Sequence, residues 1–160
     1  MKQKGFNFIL TVFLILGIQE LLCAQELTPK SVEGIKKEVS EIFAKSVEAG
    51  EKLDLIKISE NVNDTPRAGF IDNGSYYKSF EELMSEFKSG TQGLENQKMK
   101  VETKKITILS DNYALLTAHG DYSAKLTDGR ILDGTFAWTF VYSKLNGNWK
   151  VIHSHMSNAR

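Results

Sequence analysis

The stretch Trp149-Lys150-Val151-Ile152-His153-Ser154-His155-Met156-Ser157, with the strand before it, decides the fold. That preceding strand reads Phe136-Ala137-Trp138-Thr139-Phe140-Val141-Tyr142-Ser143, and Leu145-Asn146-Gly147-Asn148 joins the two. Both segments alternate in side-chain character, as a strand with two different faces must. One face of the first carries Phe136, Trp138, Phe140 and Tyr142, and the other carries Thr135, Ala137, Thr139 and Val141. In the second, Ile152, Ser154 and Met156 share one face, and Trp149, Val151, His153, His155 and Ser157 share the other. The turn sets which faces combine. A three-residue turn, Leu145 to Gly147, pairs Lys144 with Asn148 and places Phe140 opposite Ile152 and Trp138 opposite Ser154. This is the expected register. A two-residue Asn146-Gly147 turn would place Trp138 opposite His155.

Working back along the chain, Thr28-Pro29 starts a helix, with Thr as cap and Pro at the first position. Val32, Ile35, Val39, Ile42, Phe43 and Val47 recur at helical spacing, and Gly50 is expected to end it. Leu53, Ile56 and Ile58 suggest a second short helix, which Pro66 cannot continue. Ala68 to Asp72 reads as a strand, and Asn73-Gly74 as a tight turn. Ser79 with Glu82 forms a capping box before the apolar face Phe80, Leu83, Met84 and Phe87, and Gly90 stops that helix. Strands follow over 99–109, 113–126, 131–144 and 149–157, with turns at Ser110–Asn112 and Thr127–Gly129. Helices first and a long meander after predict an α+β fold, with the helices on one sheet face.

The first residues look like a cleavable leader. Lys2 and Lys4 precede an apolar run from Phe6 to Gly17, and Ala24 ends the segment before Gln25. A membrane anchor would need about 20 apolar residues, and Glu20 interrupts the run. Lipidation of Cys23 would require a small residue before it, where Leu22 stands. The domain reading is therefore a signal peptide over 1–24, a short lead-in over 25–30 and one domain over 31–160, exported to the periplasm or beyond.

The 160 residues carry 20 Lys and Arg against 20 Asp and Glu. Losing Lys2, Lys4 and Glu20 with the leader leaves a charge of about −1. No basic field points to nucleic acid, and no membrane contact is expected after cleavage. Cys23 is the only cysteine and leaves with the leader, so the domain is held by its core without disulfides. The 136 residues that remain suffice for one domain.

The aromatic face is the place to look for a site. Phe136, Trp138, Phe140, Ile152 and Met156 form an apolar floor, with Ser154 and Tyr142 as polar groups on it. Aromatics on a strand face usually pack as core; the alternative is an apolar pocket with a few polar groups. His153 and His155 share a face, and His119 lies elsewhere. A closed zinc site takes four ligands, so these imidazoles are assigned to hydrogen bonds or a subunit contact, and neither metal nor cofactor is expected. Nucleophile elbows, phosphate loops and metal-binding motifs are missing from the sequence.

Strand, Gly turn, Trp149, then His153-Ser154-His155-Met156-Ser157 resembles the end of the SnoaL-like, nuclear-transport-factor-2-like superfamily. It is also similar to the tail of the calcium/calmodulin-dependent kinase II hub domain. The resemblance implies a cone: a curved antiparallel sheet with N-terminal helices packed on one face around a pocket. It also favours the three-residue turn. In the hub domain, pocket arginines occupy positions that fall here at Phe140 and Met156, which are apolar. The resemblance to ketosteroid isomerase, in the same superfamily, implies that Asp72 stands where a general base would. The matching tyrosine position falls at Phe43, which has no hydroxyl, and such an oxyanion donor is worth roughly 3 kcal/mol. Tyr76 or Tyr77 is left to reach the site. Asp72 also suits the turn before Asn73-Gly74.

Three functions follow as expectations. The first is a non-catalytic exported dimer holding a small, largely apolar molecule against Trp138, Phe140, Tyr142, Ser154, Met156 and Tyr76. The second is a small isomerase, cyclase or hydro-lyase with Asp72 as base. The third is an assembly module pairing through Thr139, His153 and His155. A homodimer is expected to bury the sheet face bearing Ala137, Val141 and Val151, since exposed apolar patches usually mark contacts.

Overall fold

In the computed structural model, residues 27–159 are described. The leader over 1–24 and the question of Cys23 lie outside them. Helix α1 (Pro29–Glu51) starts at Thr28, whose Oγ1 accepts the Ser31 amide at 3.2 Å. Ile35, Val39 and Phe43, one turn apart, are its buried stripe. The structure carries α1 one residue past Gly50, and the chain then reverses at Leu53, with φ 55°. Gly50 is needed for proximity instead: a Cβ there would lie 2.9 Å from Met99 Cε. Leu27, within the expected lead-in, packs against the core.

Helix α2 (Leu55–Glu60) is capped by Asp54, and α3 (Phe80–Gly90) by Ser79, whose Oγ accepts the Glu82 amide. Between them lie β1 (Phe70–Asp72) and β2 (Ser75–Tyr77), joined by the tight Asn73-Gly74 turn. The meander is β3 (Leu94–Ser110), β4 (Tyr113–Leu126), β5 (Ile131–Leu145) and β6 (Asn148–Ala159). The sheet order is β2-β1-β6-β5-β4-β3. One pair, β1 with β6, is parallel, so the sheet is antiparallel only in its other four pairings.

Curvature has visible causes. Three register shifts interrupt the β3–β4 ladder and one interrupts β5–β6, and a bulge bends and twists its strand. Two cross-strand pairs help. Phe136 lies over Gly120, where a Cβ would meet its ring at 2.8 Å, and Tyr122 lies over Gly134, where it would meet the ring at 2.7 Å. Any side chain at these glycines would push the strands apart.

The β5–β6 register differs from both sequence readings. The turn is the two-residue Asn146-Gly147, with φ 49° and 80°, pairing Leu145 with Asn148. Tyr142 then faces Val151, but Val141 faces His153, so Ile152 is an extra residue in a bulge. Beyond it Phe140 faces Ser154 and Trp138 faces Met156. The bulge switches the face of everything before it. Trp149 and Val151, assigned by alternation to the histidine side, lie in the core beneath the helices. Ile152, assigned to the floor, is nearly buried but stands outside the main core cluster. The expected dimer face therefore loses Val151 and keeps Ala137, Thr139 and Val141.

Candidate functional site

The core under the helices has two ends. At the closed end α1 descends onto the sheet, and Val39, Leu116, Tyr142 and Trp149 are at most 3% exposed. At the open end the last turn of α1 rests on β3, where Gln97 Nε2 donates to the Gly50 carbonyl, and α2 and α3 form the other walls. A cavity of about 620 Å³ remains there. Its walls are Phe43 and Val47 of α1, Leu55 and Ile58 of α2, and Phe87 of α3. Its floor is Trp138 and Phe140 of β5, with Met156 of β6, Leu132 and Tyr122.

Of the residues singled out from sequence, Trp138, Phe140, Met156 and Asp72 line this cavity. Tyr142 does not: it is 1% exposed, in the closed end, and burial pushes its hydroxyl well above the ordinary value. Ser154 shares the helix-side face with Phe140 but is buried between Phe140 and Phe70 and does not line the cavity. Tyr76 sits on β2, on the far side of the sheet, 62% exposed, with its ring across Gly69. Neither it nor Tyr77 lines the cavity. His153 Nδ1 lies 2.8 Å from the Gly69 carbonyl oxygen, while His155 is exposed on the outer face. No three His, Cys, Asp or Glu side chains gather as a metal site among the described residues.

The aromatic floor is a packed series. Phe136 stacks on Trp138 at 4.0 Å, Trp138 meets Phe140 edge-on at 6.2 Å, and Phe43 meets Phe140 edge-on at 5.8 Å. Such pairings fix ring orientation beyond simple burial. The floor is thus shaped before anything enters.

The polar corner lies where β1 ends beside β6. A hydrogen-bonded chain runs across it. Trp138 Nε1 donates to Asn158 Oδ1 at 3.4 Å, and the Asn158 backbone N–H donates to Asn73 Oδ1 at 2.8 Å. Because that amide oxygen must accept, Asn73 Nδ2 faces the other way and donates to Asp72 Oδ2 at 3.2 Å. Partial burial raises the proton affinity of Asp72 above the ordinary carboxylate, and Glu86 of α3 raises it further; the Asn73 hydrogen bond opposes both.

Sequence reasoning missed Asn73 as more than a turn residue, and missed Asn158 and Glu86. Asn158 continues the alternation through Ser154 and Met156. Glu86 lies one turn before Gly90, and both line the cavity.

Helices arched over one face of a curved sheet, with the cavity between them, define the cone-shaped class that hosts pocket proteins of several kinds. The chain belongs to the SnoaL-like domain family, whose model matches residues 39–160. Among solved structures, it is similar to a nuclear transport factor 2-like superfamily protein from Salmonella enterica. That match has 19% identity and a TM-score of 0.72, and covers 81% of this chain and 94% of that one. A protein described as a calcium/calmodulin-dependent protein kinase II association domain, from Xanthomonas campestris, matches at 20% identity and TM-score 0.66, covering 77% and 86%. A hexachlorocyclohexane dehydrochlorinase matches at 10% identity and TM-score 0.71, covering 83% and 90%. At these identities the likeness is one of fold. Among curated proteins, no sequence matches significantly.

Proposed function

We propose that this SnoaL-like domain is a non-catalytic holder of a small, largely apolar molecule, working outside the cytoplasm once its leader is removed. The observation that carries the reading is the open-end cavity. Its volume of about 620 Å³ falls in the range of small-molecule sites, and so does its make-up, an apolar wall with polar groups in one corner. The test is calorimetric titration with 1-naphthylmethanol, a neutral bicyclic probe. One molecule should bind per chain, and Phe140→Ala should change the affinity. A flat titration with the wild type would overturn the reading.

A second reading keeps Asp72 as a general base. It rests on that carboxylate being partly desolvated on the cavity wall, with raised proton affinity. Against it, Phe43 occupies the wall where an oxyanion-donating hydroxyl would serve. Exchange of deuterium into 2-tetralone, followed by NMR, separates the two. The holder reading expects no acceleration over buffer. Acceleration that disappears in Asp72→Asn would establish catalysis.

A further inference from the structure

We infer that the cavity selects a molecule that is apolar over most of its surface and carries one positively charged amine. This rests on the holder reading above and sharpens it to a ligand class. The ionisable side chains on the wall are Asp72 and Glu86, apart from the weakly acidic Tyr122; among the described residues no Lys, Arg or His lines it. An anionic ligand would therefore meet two carboxylates, half-buried Asp72 and exposed Glu86, with no counter-charge among the described residues, which is unfavourable.

The neutral polar groups of the wall are partly committed to the protein. Asn73, Asn158 and the Trp138 indole form the chain of N–H donors that ends on Asp72 Oδ2. Gln97 Nε2 donates to the Gly50 carbonyl at 2.6 Å, Ser46 Oγ to the Ile42 carbonyl and Thr91 Oγ1 to the Lys88 carbonyl. Each of these lining groups already spends a donor on the protein. The Tyr122 hydroxyl can donate or accept and leaves this balance unchanged. Asn73, Asn158 and Gln97 each keep one amide N–H, but the charged groups of the wall, Asp72 and Glu86, are acceptors only. A ligand that brings N–H groups meets these carboxylates, and a charged one brings the stronger bonds. The Trp138 indole, joined to this corner through Asn158, is an aromatic surface attractive to a cation as well.

The test compares three isosteric probes at neutral pH by calorimetry: 1-naphthylmethylammonium, 1-naphthylmethanol and 1-naphthoate. The ammonium should bind at least about tenfold more tightly than the alcohol, the size expected of one charge-assisted contact. The carboxylate should bind about tenfold more weakly than the alcohol or not measurably. The ammonium advantage should shrink in Asp72→Asn and, independently, in Glu86→Gln, a change on an exposed helix surface. Added salt should reduce it as well. If the alcohol binds as tightly as the ammonium, the cationic class is overturned while the holder reading stands. If none of the three binds, both fall. If naphthoate binds best, the charge argument is wrong outright.

Discussion

Strand β5 runs through both ends of the core, and its residues behave differently at each. At the closed end Tyr142 is 1% exposed and packs with Trp149, Val151 and Leu116. Two residues earlier Phe140 already borders empty space, and Trp138 and Leu132 form the cavity floor. The same alternating pattern thus produces core at one end and wall at the other. The difference comes from where the helices go: α1 covers Trp149 of β6 at the closed end, its last turn rests on β3 beside Gln97, and beyond Leu53 the chain turns into α2, leaving the space over Trp138 open. An aromatic strand face does not state its own role; the distance of the opposing layer does.

The carboxylates of the two ends differ in the same way. Glu38, on α1 at the closed end, accepts from Lys144 Nζ at 2.9 Å and Trp149 Nε1 at 2.7 Å, and these contacts lower its proton affinity. Asp72 at the open end is desolvated, and its proton affinity is raised. One carboxylate is used to hold the fold. The other is left on a cavity wall at some cost to it.

The largest effect should come from Trp149→Ala, which removes a whole indole from the closed end and one of the donors that hold Glu38. We expect a loss of about 5 kcal/mol, the upper end for a buried aromatic. A variant that unfolds in urea at the wild-type midpoint would show that Trp149 does not seat the closed end.

Next is a pair of truncations. Tyr142→Ala should cost about 3–5 kcal/mol, as a fully packed aromatic does. Phe140→Ala should cost clearly less, about 1–2 kcal/mol, because one side of its ring already lacks partners. Urea midpoints with unchanged m-values would measure both. Equal penalties would erase the distinction between the ends.

The smallest effects concern pH. The proton affinity of Asp72 is raised in the folded state. The folded protein thus binds more protons than the unfolded chain, and the Asp72 contribution falls as pH rises from the ordinary value of 3.8 upward. Asp72→Asn should remove that decline and stabilise the protein slightly at neutral pH. Glu38 has the opposite sign. Its contribution is present above the ordinary carboxylate value of 4.5 and is lost as pH falls through the lowered folded value. Glu38→Gln should therefore weaken the protein at neutral pH and change little in strong acid. Thermal melts of both variants across pH would check the two slopes, and slopes of the same sign would contradict the comparison.

Much of this fold was legible because it rests on local rules. Thr28 and Ser79 cap their helices through their own side chains, and Asn73-Gly74 announces a hairpin; the cap at Asp54 and the two-residue turn at Asn146-Gly147 are seen only in the structure. The floor residues Trp138, Phe140 and Met156 followed from alternation. Alternation failed at Ile152 because one inserted residue reverses every later assignment, and no residue type marks a bulge reliably. The same limit misplaced Tyr142 and Ser154. Both lie on the expected face, but their role depends on how close the helices come, which is a property of tertiary packing. Tyr76 was misjudged because β1 joins β6 in parallel, and that register alone puts Ile71 and Tyr76 on the histidine side.

With one end open and the other packed, the open end should admit a ligand and the closed end should not. Each end contributes one tryptophan: Trp138 lines the cavity, and Trp149 is 3% exposed with its indole N–H on Glu38. The two indole N–H resonances can be assigned by Trp→Phe variants and followed while 1-naphthylmethanol is added. The Trp138 signal should shift with saturation and the Trp149 signal should stay in place. If both signals stay fixed, or both move together, the open end is not a separate binding cavity.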